Sequence, residues 1–419
     1  MTAQPVSHAT DDPLLDDRDP VAAARQYVGD AALHSGEERR VGLELELHLV
    51  DLAKPARRPA WGTVQALVSA LPPMPAGSSV TVEPGGQIEL STTPQEDVAA
   101  AVVALRSDRE ALRASLAEAG LGAAPLGTDP ARPAQRVNPK PRYAAMEQHF
   151  EATGRASAGR AMMTSTAALQ VNLDAGPAQG WAARLDLIHS LVPVLIALSA
   201  TSPYLAGRAS GWHSMRQQSW QGIDGRRAGP IGPGEPSTAW ADYALAAPVM
   251  LLREEDEVRP VTREVAFGAW LEVPGLLGRR ATREDLDHHL TTLFPPVRPR
   301  GYLEIRCVDA LPDRWWPVLA ALTATLVDDA VAADGAAGLC EPVAQRSEAA
   351  ARRGLSDPDL CAAVRGCLEL AVSRCAPVLK ADLDAFAELV ASGRTPSSEL
   401  RARVEADGPL RVLEEEARA

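Results

Sequence analysis

Between residues 41 and 50 apolar and polar positions alternate: Leu43, Leu45, Leu47 and Leu49 fall on one side, Glu44, Glu46 and His48 on the other. Successive strand side chains point to opposite faces, so this period of two predicts an amphipathic strand. The pattern recurs three times. In residues 80–91, Gln87, Glu89 and Ser91 share a face opposite Ile88 and Leu90. Glu83 precedes the break Pro84-Gly85-Gly86, where glycine lets backbone approach a neighbour closely. In residues 164–174, Gln170 and Asn172 oppose Leu169, Val171 and Leu173. In residues 301–307, Tyr302, Glu304 and Arg306 oppose Leu303, Ile305 and Cys307. Any one of these segments fits a sheet with one face in water.

Helical spacing is predicted for residues 20–34 and predominates from about 313 onward, over 313–333, 343–353, 358–373, 377–391 and 396–406. The Pro/Gly-rich stretches 72–79, 130–141 and 229–237 read as loops rather than linkers, because regular patterns resume on both sides. Residues 1–18 are acidic, contain proline and lack periodicity, which predicts a disordered tail. Residues 19–419 then form one domain with a helical C-terminal segment. Strands interleaved with helices and followed by helices predict an α+β fold with a mainly antiparallel sheet.

Composition narrows the chemistry. No apolar run looks long enough to span a bilayer, and no basic-then-apolar leader opens the chain, so a cytoplasmic protein without membrane contact is expected. A net charge of −13 argues against a nucleic-acid partner, since phosphate contacts need a basic surface. The cysteines (Cys307, Cys340, Cys361, Cys367 and Cys375) are odd in number and lack C-x-x-C spacing, so neither a disulfide framework nor a zinc site is indicated. Lysine occurs only at 54, 140 and 380, and no lysine-dependent phosphate loop is present. His288-His289 sits in a charged helical stretch and reads as solvated surface.

Four strands bearing carboxylates or amides suggest polar faces turned toward one cavity. Clustered carboxylates repel one another and take up protons unless cations neutralise them. Oxygen donors favour hard cations, and Mg²⁺ commonly bridges carboxylates to nucleotide phosphates. Arg142, Arg216, Arg226, Arg227, Arg298, Arg300 and Arg306 lie in loops or at strand ends, where guanidinium groups can grip anions bidentately. Arg306 shares a strand face with Glu304. Arg216 and Arg227 flank a loop of aromatic, Gly and polar residues, as substrate pockets often do.

The segments EPGGQIELS (83–91), TSTAALQVNLD (164–174), SMRQQSWQGIDGRRAG (214–229), ADYALAAPV (241–249) and HLTTLFPPVRPRGYLEIRCVD (289–309) resemble, in order and spacing, the glutamate–cysteine ligase family shared by plants and many bacteria. The opening GLELELHLVDL makes the chain similar to the bacterial branch that supplies γ-glutamylcysteine for ergothioneine synthesis. The resemblance implies a glutamine-synthetase-like catalytic domain: a six-stranded, largely antiparallel sheet curled into a funnel or half-barrel, with helices outside. It implies the substrates ATP, L-glutamate and L-cysteine and two or three Mg²⁺ ions. Carried over by position, it implies Glu44, Glu46, Glu83, Glu89 and Glu304 as metal ligands. Glu304, Arg306 and Arg227 would be catalytic; Arg142, Tyr143, Arg216, Gln170, Asn172 and Trp220 would bind substrate; Arg298 and Arg300 would bind nucleotide. Gln170 departs from members that carry His there. The implied chemistry is γ-glutamyl phosphate formation followed by attack of the cysteine amine. No general base is legible, and the oligomeric state is left open, a monomer included. Another amine acceptor on the same fold, or a non-catalytic nucleotide- or metal-binding protein, are the alternatives.

Overall fold

The computed structural model describes residues 18–36, 39–254 and 257–419, so the tail predicted for residues 1–18 lies, Arg18 aside, outside the described residues. Seven strands build the main sheet: Val41–Asp51 (β1), Ser79–Val82 (β2), Ile88–Ser91 (β3), Leu121–Ala124 (β4), Ala168–Leu173 (β5), Val297–Pro299 (β6) and Leu303–Asp309 (β7). Their order is β6-β7-β5-β1-β3-β2, antiparallel throughout, with β4 paired to the far half of β1. The sheet is open, ending at β6 and β2. Six strands were implied; the seventh, β4, takes over His48 to Asp51 where the β3 and β5 pairings have ended. Its sequence Leu-Gly-Ala-Ala has no polar alternation, since all four residues are buried.

One face of the sheet is the core. Leu43, Leu45, Leu47, Ile88, Leu90, Leu169, Val171, Leu303 and Ile305 are wholly buried, each contributing about 1.5–3 kcal/mol of apolar transfer. The helices Val98–Glu118, Trp181–Ser199 and Trp316–Asp328 cover this face. With the short turn before it, the second of these spans residues 178–199 and is, by length and composition, apolar enough to cross a membrane. This corrects the expectation that no such run exists, but 67% of its apolar window is buried in the protein, where it serves as a core helix.

The predicted helix 313–333 is broken at Asp329, where Trp316–Asp328 gives way to Ala330–Cys340. The Asp329 carboxylate accepts the N–H groups of Val331 and Ala332 and so caps the second helix. A further helix, Pro409–Arg418, packs on β4. His288 and His289 are not a solvated pair. Both lie in the helix Arg283–Leu290, but His289 is buried, its Nε2 2.8 Å from the Ala244 carbonyl, and His288 is half-buried.

The polar face of the sheet is covered by a second apolar cluster. Met146 and Phe150 come from the helix Pro141–Ala152, Met162 and Met163 from Ala156–Ser165, joined by Ile223, Ala228, Met250 and Leu251 and flanked by Tyr143, Trp220 and Phe294. A cavity of about 290 Å³ lies between this cluster and the sheet.

Candidate functional site

Strand register sets the polar face in rows. Glu46 of β1 lies directly across from Glu89 of β3, which faces Thr81 of β2. The next row is Gln170, Glu44 and Ser91, and the one beyond is Arg298, Glu304, Asn172 and Gly42. Directly opposed strand residues sit about 4.5–5.5 Å apart at Cβ, and like charges there repel. Neutral donors hold three of the carboxylates. Glu46 accepts the Ala168 N–H at 2.8 Å, Glu44 accepts the Asn172 amide at 2.9 Å, and Glu89 accepts the Thr81 hydroxyl at 2.9 Å.

The turn 83–87 adds a fourth. The Glu83 N–H donates to the Gln87 carbonyl and the Gly86 N–H to that of Glu83. Gly86 has φ +83°, and a Cβ on Gly85 would stand 2.2 Å from the Thr164 carbonyl oxygen. Only glycine fits there. The turn brings Glu83 near Glu89 and Glu46, and burial together with those neighbours pushes its carboxyl up to about 8. Burial, then Glu89 and Glu304, raises Glu44 as well; burial and Glu46 raise Glu89. Glu46 also lies above the ordinary range, because burial outweighs the pull of Arg216 and Arg306.

The other end of the cavity is an arginine wall built around Glu304. One Glu304 oxygen accepts from Arg298 Nε at 2.6 Å and lies 3.1 Å from Arg306 Nη1. The other accepts from Arg298 Nη2 at 3.0 Å and Arg300 Nη1 at 3.2 Å. Burial alone would raise this carboxyl, but Arg306, Arg298 and Arg300 hold it at about 2. Arg306 sits where the β7–β5 register slips between Ile305 and Val308, a bulge that re-aims its side chain. Its Nη1 donates to Gln170 Oε1 at 2.5 Å. The bulge is fastened from behind: Arg216 donates to the Arg306 carbonyl at 2.8 Å and Gln217 to that of Cys307 at 2.7 Å. The Arg216 and Arg306 guanidinium groups each lie 5.8 Å from the centre of the Trp220 ring. At the mouth, Arg142 donates to the Thr291 carbonyl at 3.1 Å, and burial and Glu83 push Tyr143 up to about 12.

Of the residues given a role by the resemblance, Glu44, Glu46, Glu83, Glu89, Glu304, Arg142, Tyr143, Gln170, Trp220, Arg298, Arg300 and Arg306 line the one cavity. Three do not. Arg216 is buried behind the bulge, and Asn172 orients Glu44 from the neighbouring strand. Arg227 is fully buried and donates to the carbonyls of Thr292 and Pro248, pinning the loop that carries Thr291 and Phe294. Sequence reasoning missed Met146, Met162, Met163, Thr166, Thr291 and Phe294, which also line it. The methionines sit on helices whose apolar residues carry no sign of which cavity they face.

Among the described residues no three His, Cys, Asp or Glu side chains are arranged to hold a metal ion by themselves. The donor set nonetheless fits hard divalent cations. Glu44, Glu46, Glu83 and Glu89 are all raised by burial, and the buried Oε1 of Gln87, which also lines the cavity, has no hydrogen-bond partner. Mg²⁺ usually takes one or two protein carboxylates and completes its shell with phosphate oxygens and water. Glu304 differs from the four, since both its oxygens already face guanidinium groups and a metal would have to displace one.

Comparison with known proteins gives the family and the fold. A sequence model described as glutamate–cysteine ligase family 2 (GCS2) matches residues 40–416. The chain is 48% identical over 399 residues to the glutamate–cysteine ligase EgtA of Mycolicibacterium smegmatis, covering 94% of each chain. It is 49% identical over 393 residues to the EgtA of Mycobacterium tuberculosis H37Rv, covering 92% of this chain and 91% of that one. A crystal structure of the Francisella tularensis glutamate–cysteine ligase in complex with AMP shares the fold, with a TM-score of 0.50 and 12% identity over 92% of this chain and 88% of that one.

Proposed function

Because this chain belongs to the glutamate–cysteine ligase family 2, we propose that its cavity joins the γ-carboxylate of L-glutamate to the amine of L-cysteine at the expense of ATP, giving γ-glutamylcysteine, ADP and phosphate. The observation that carries the reading is the opposition of four clustered, buried carboxylates to an arginine wall across one 290 Å³ cavity. A carboxylate is too poor an electrophile for an amine. The γ-phosphoryl group of ATP passes to the glutamate γ-oxygen, releasing ADP; the cysteine nitrogen then bonds to the acyl carbon and phosphate leaves.

Mg²⁺ held by Glu44, Glu46, Glu83 and Glu89 would neutralise the nucleotide phosphates. Arg298, Arg300 and Arg306 offer their remaining N–H groups to phosphoryl oxygens, where charge is stabilised best in a site closed to water. Arg142, beside Tyr143 in the cavity lining, would hold a substrate carboxylate and so orient the γ-oxygen. Met146, Met162, Met163, Trp220 and Phe294 form a dry wall that shields a reactive acyl phosphate from hydrolysis. The high identity to relatives named EgtA supports a place in ergothioneine biosynthesis.

Purified protein given ATP, Mg²⁺ and glutamate should release ADP in a cysteine-dependent manner and accumulate γ-glutamylcysteine. A panel of other amines provides the control. Stimulation by another amine but not by cysteine would overturn the acceptor assignment, and no ADP release with any amine would overturn ligation itself.

A further inference from the structure

Arg58, in the loop after β1, takes no part in the chemistry above, yet its buried guanidinium ties together three segments, two of which border the cavity at Pro84 and Thr166. The side chain is 5% exposed. Its Nη1 donates to the Gly85 carbonyl at 3.3 Å, and Nη2 donates to Ser165 Oγ at 3.1 Å. Nε and Nη2 share the Pro133 carbonyl at 3.4 Å, and Nη2 lies 3.1 Å from Asp129 Oδ2. Asp129 is itself fixed: Arg132 Nε donates to it at 2.7 Å, and its own N–H donates to the Ser165 carbonyl. The neighbouring His48 is fully buried and kept neutral, its imidazole pushed down to about 3 by burial. Asp129 therefore supplies the negative charge opposite Arg58.

The contact with Gly85 matters most. Gly85 is the midpoint of the turn that separates Glu83 from Glu89. Elsewhere the turn is held at Pro84, whose carbonyl accepts the N–H groups of Val137 and Asn138, and at Gln87, whose Nε2 donates to the Thr166 carbonyl at 2.9 Å. Ser165 precedes β5 and follows Met162 and Met163, so the same fork also sets the seam between the methionine wall and the sheet. Planar guanidinium geometry lets one side chain satisfy these acceptors in fixed relative positions, which a lysine ammonium cannot do.

We propose that Arg58 is a positioning residue for cation binding: its fork, anchored on Asp129, holds the Gly85 backbone so that Glu83 and Glu89 converge on shared divalent cations. This rests on reading those two carboxylates as cation ligands, as above. Groups that orient ligands without touching the metal typically change metal affinity or activity by about 10–100-fold when replaced.

The test uses the full chain and Mn²⁺ alone as probe. Arg58→Lys keeps a positive charge beside Asp129 but loses the fork. Its Mn²⁺ dissociation constant, measured by calorimetry or by the electron paramagnetic resonance of free Mn²⁺, should rise about tenfold or more. Its metal-free unfolding midpoint should stay close to that of the parent protein, and half-saturating Mg²⁺ for ADP release should rise in parallel while KM for cysteine changes little. Unchanged Mn²⁺ affinity in a folded Arg58→Lys protein overturns the proposal. Failure of that variant to fold overturns it too, since Arg58 would then be a folding residue. The Mn²⁺ titration decides the role of Arg58 whether or not the parent protein turns over. A parent protein that binds Mn²⁺ but releases no ADP with glutamate and cysteine sinks the ligase reading alone.

Discussion

Glu304 carries more of the structure than its place in a strand suggests. It is wholly buried, and it is the carboxylate against which Arg298 and Arg306, both largely buried, are balanced. From the alternation of residues 301–307 alone, Glu304→Ala would be expected to remove a ligand and spare the fold. With the arginine wall in view the expectation reverses. Breaking a buried ion pair by deleting one partner costs about 3–5 kcal/mol, because the other charge stays buried and unpaired. Glu304→Ala should therefore lose turnover and unfold at markedly lower urea concentration, whereas Glu304→Gln, which keeps an acceptor of the same shape, should lose turnover with a smaller shift. Parent-like urea stability of Glu304→Ala would show that the wall does not depend on this carboxylate. Arg227 teaches the complementary lesson. It stood out because it lies in a Gly- and aromatic-rich loop, but its N–H groups go to the backbone carbonyls of Thr292 and Pro248. Sequence does not distinguish a guanidinium that waits for an anion from one that ties a loop, because both favour such loops.

At the scale of elements, the turn 83–87 does what no strand can: it places two carboxylates on one cavity from a single hairpin. A Cβ on Gly85 would meet the Thr164 carbonyl at 2.2 Å, and backbone yields less readily than a side chain. Gly85→Ala should lower stability by about 1–3 kcal/mol, as overpacking does, and depress ADP release by more than that loss of folded protein explains. Gly180→Ala, where nothing lies within 4 Å of the added Cβ, is the control and should behave like the parent in both urea unfolding and turnover. Equal behaviour of the two variants would remove the turn from the argument. The strands bearing Glu44, Glu89, Gln170 and Glu304 were legible because one buried face forces a period of two. β4 was not, since burial of all four residues erases the alternation, and neither was the bulge at Arg306, because its phase slip shows only at Val308, beyond the alternating segment 301–307. The methionine wall was equally hidden: Met162 and Met163 are adjacent, and helical spacing alone does not say that both border the same cavity. The break at Asp329 had a readable signal, an aspartate able to cap the following helix, in a run that otherwise continues as helix.

For the molecule as a whole, opposing sets of buried groups should bound its stability on the pH axis. His48 and His289 are buried and neutral, with imidazoles pushed down to about 3, and Glu304 is held at about 2. Groups depressed in the folded state give stability that is present above their unfolded values and lost as pH falls toward the folded ones, so these set the acid limb. Glu83 has the opposite sign. Its carboxyl is raised from 4.5 to about 8, so its contribution is complete below its ordinary range and is lost as pH rises through the folded value; Glu44, Glu46 and Glu89 shift the same way. With a chelator present, the unfolding midpoint should therefore fall between about pH 6 and about pH 8, where most proteins are near their most stable. Divalent cations replace those protons. Metal ligands must deprotonate to bind, so excess Mg²⁺ or Mn²⁺ should raise the midpoint more at the alkaline end than at the acid end, by up to about 2.7 kcal/mol at a hundredfold excess over the dissociation constant. Scanning calorimetry across this range, with chelator and with cation, reads both slopes at once. A metal-free midpoint that is flat over the window, or a cation shift independent of pH, would mean that the four glutamates do not act as one proton-holding, cation-exchanging cluster. A fall with pH that the cation abolishes would tie the repulsion built into the polar face of the sheet directly to the ions it is placed to receive.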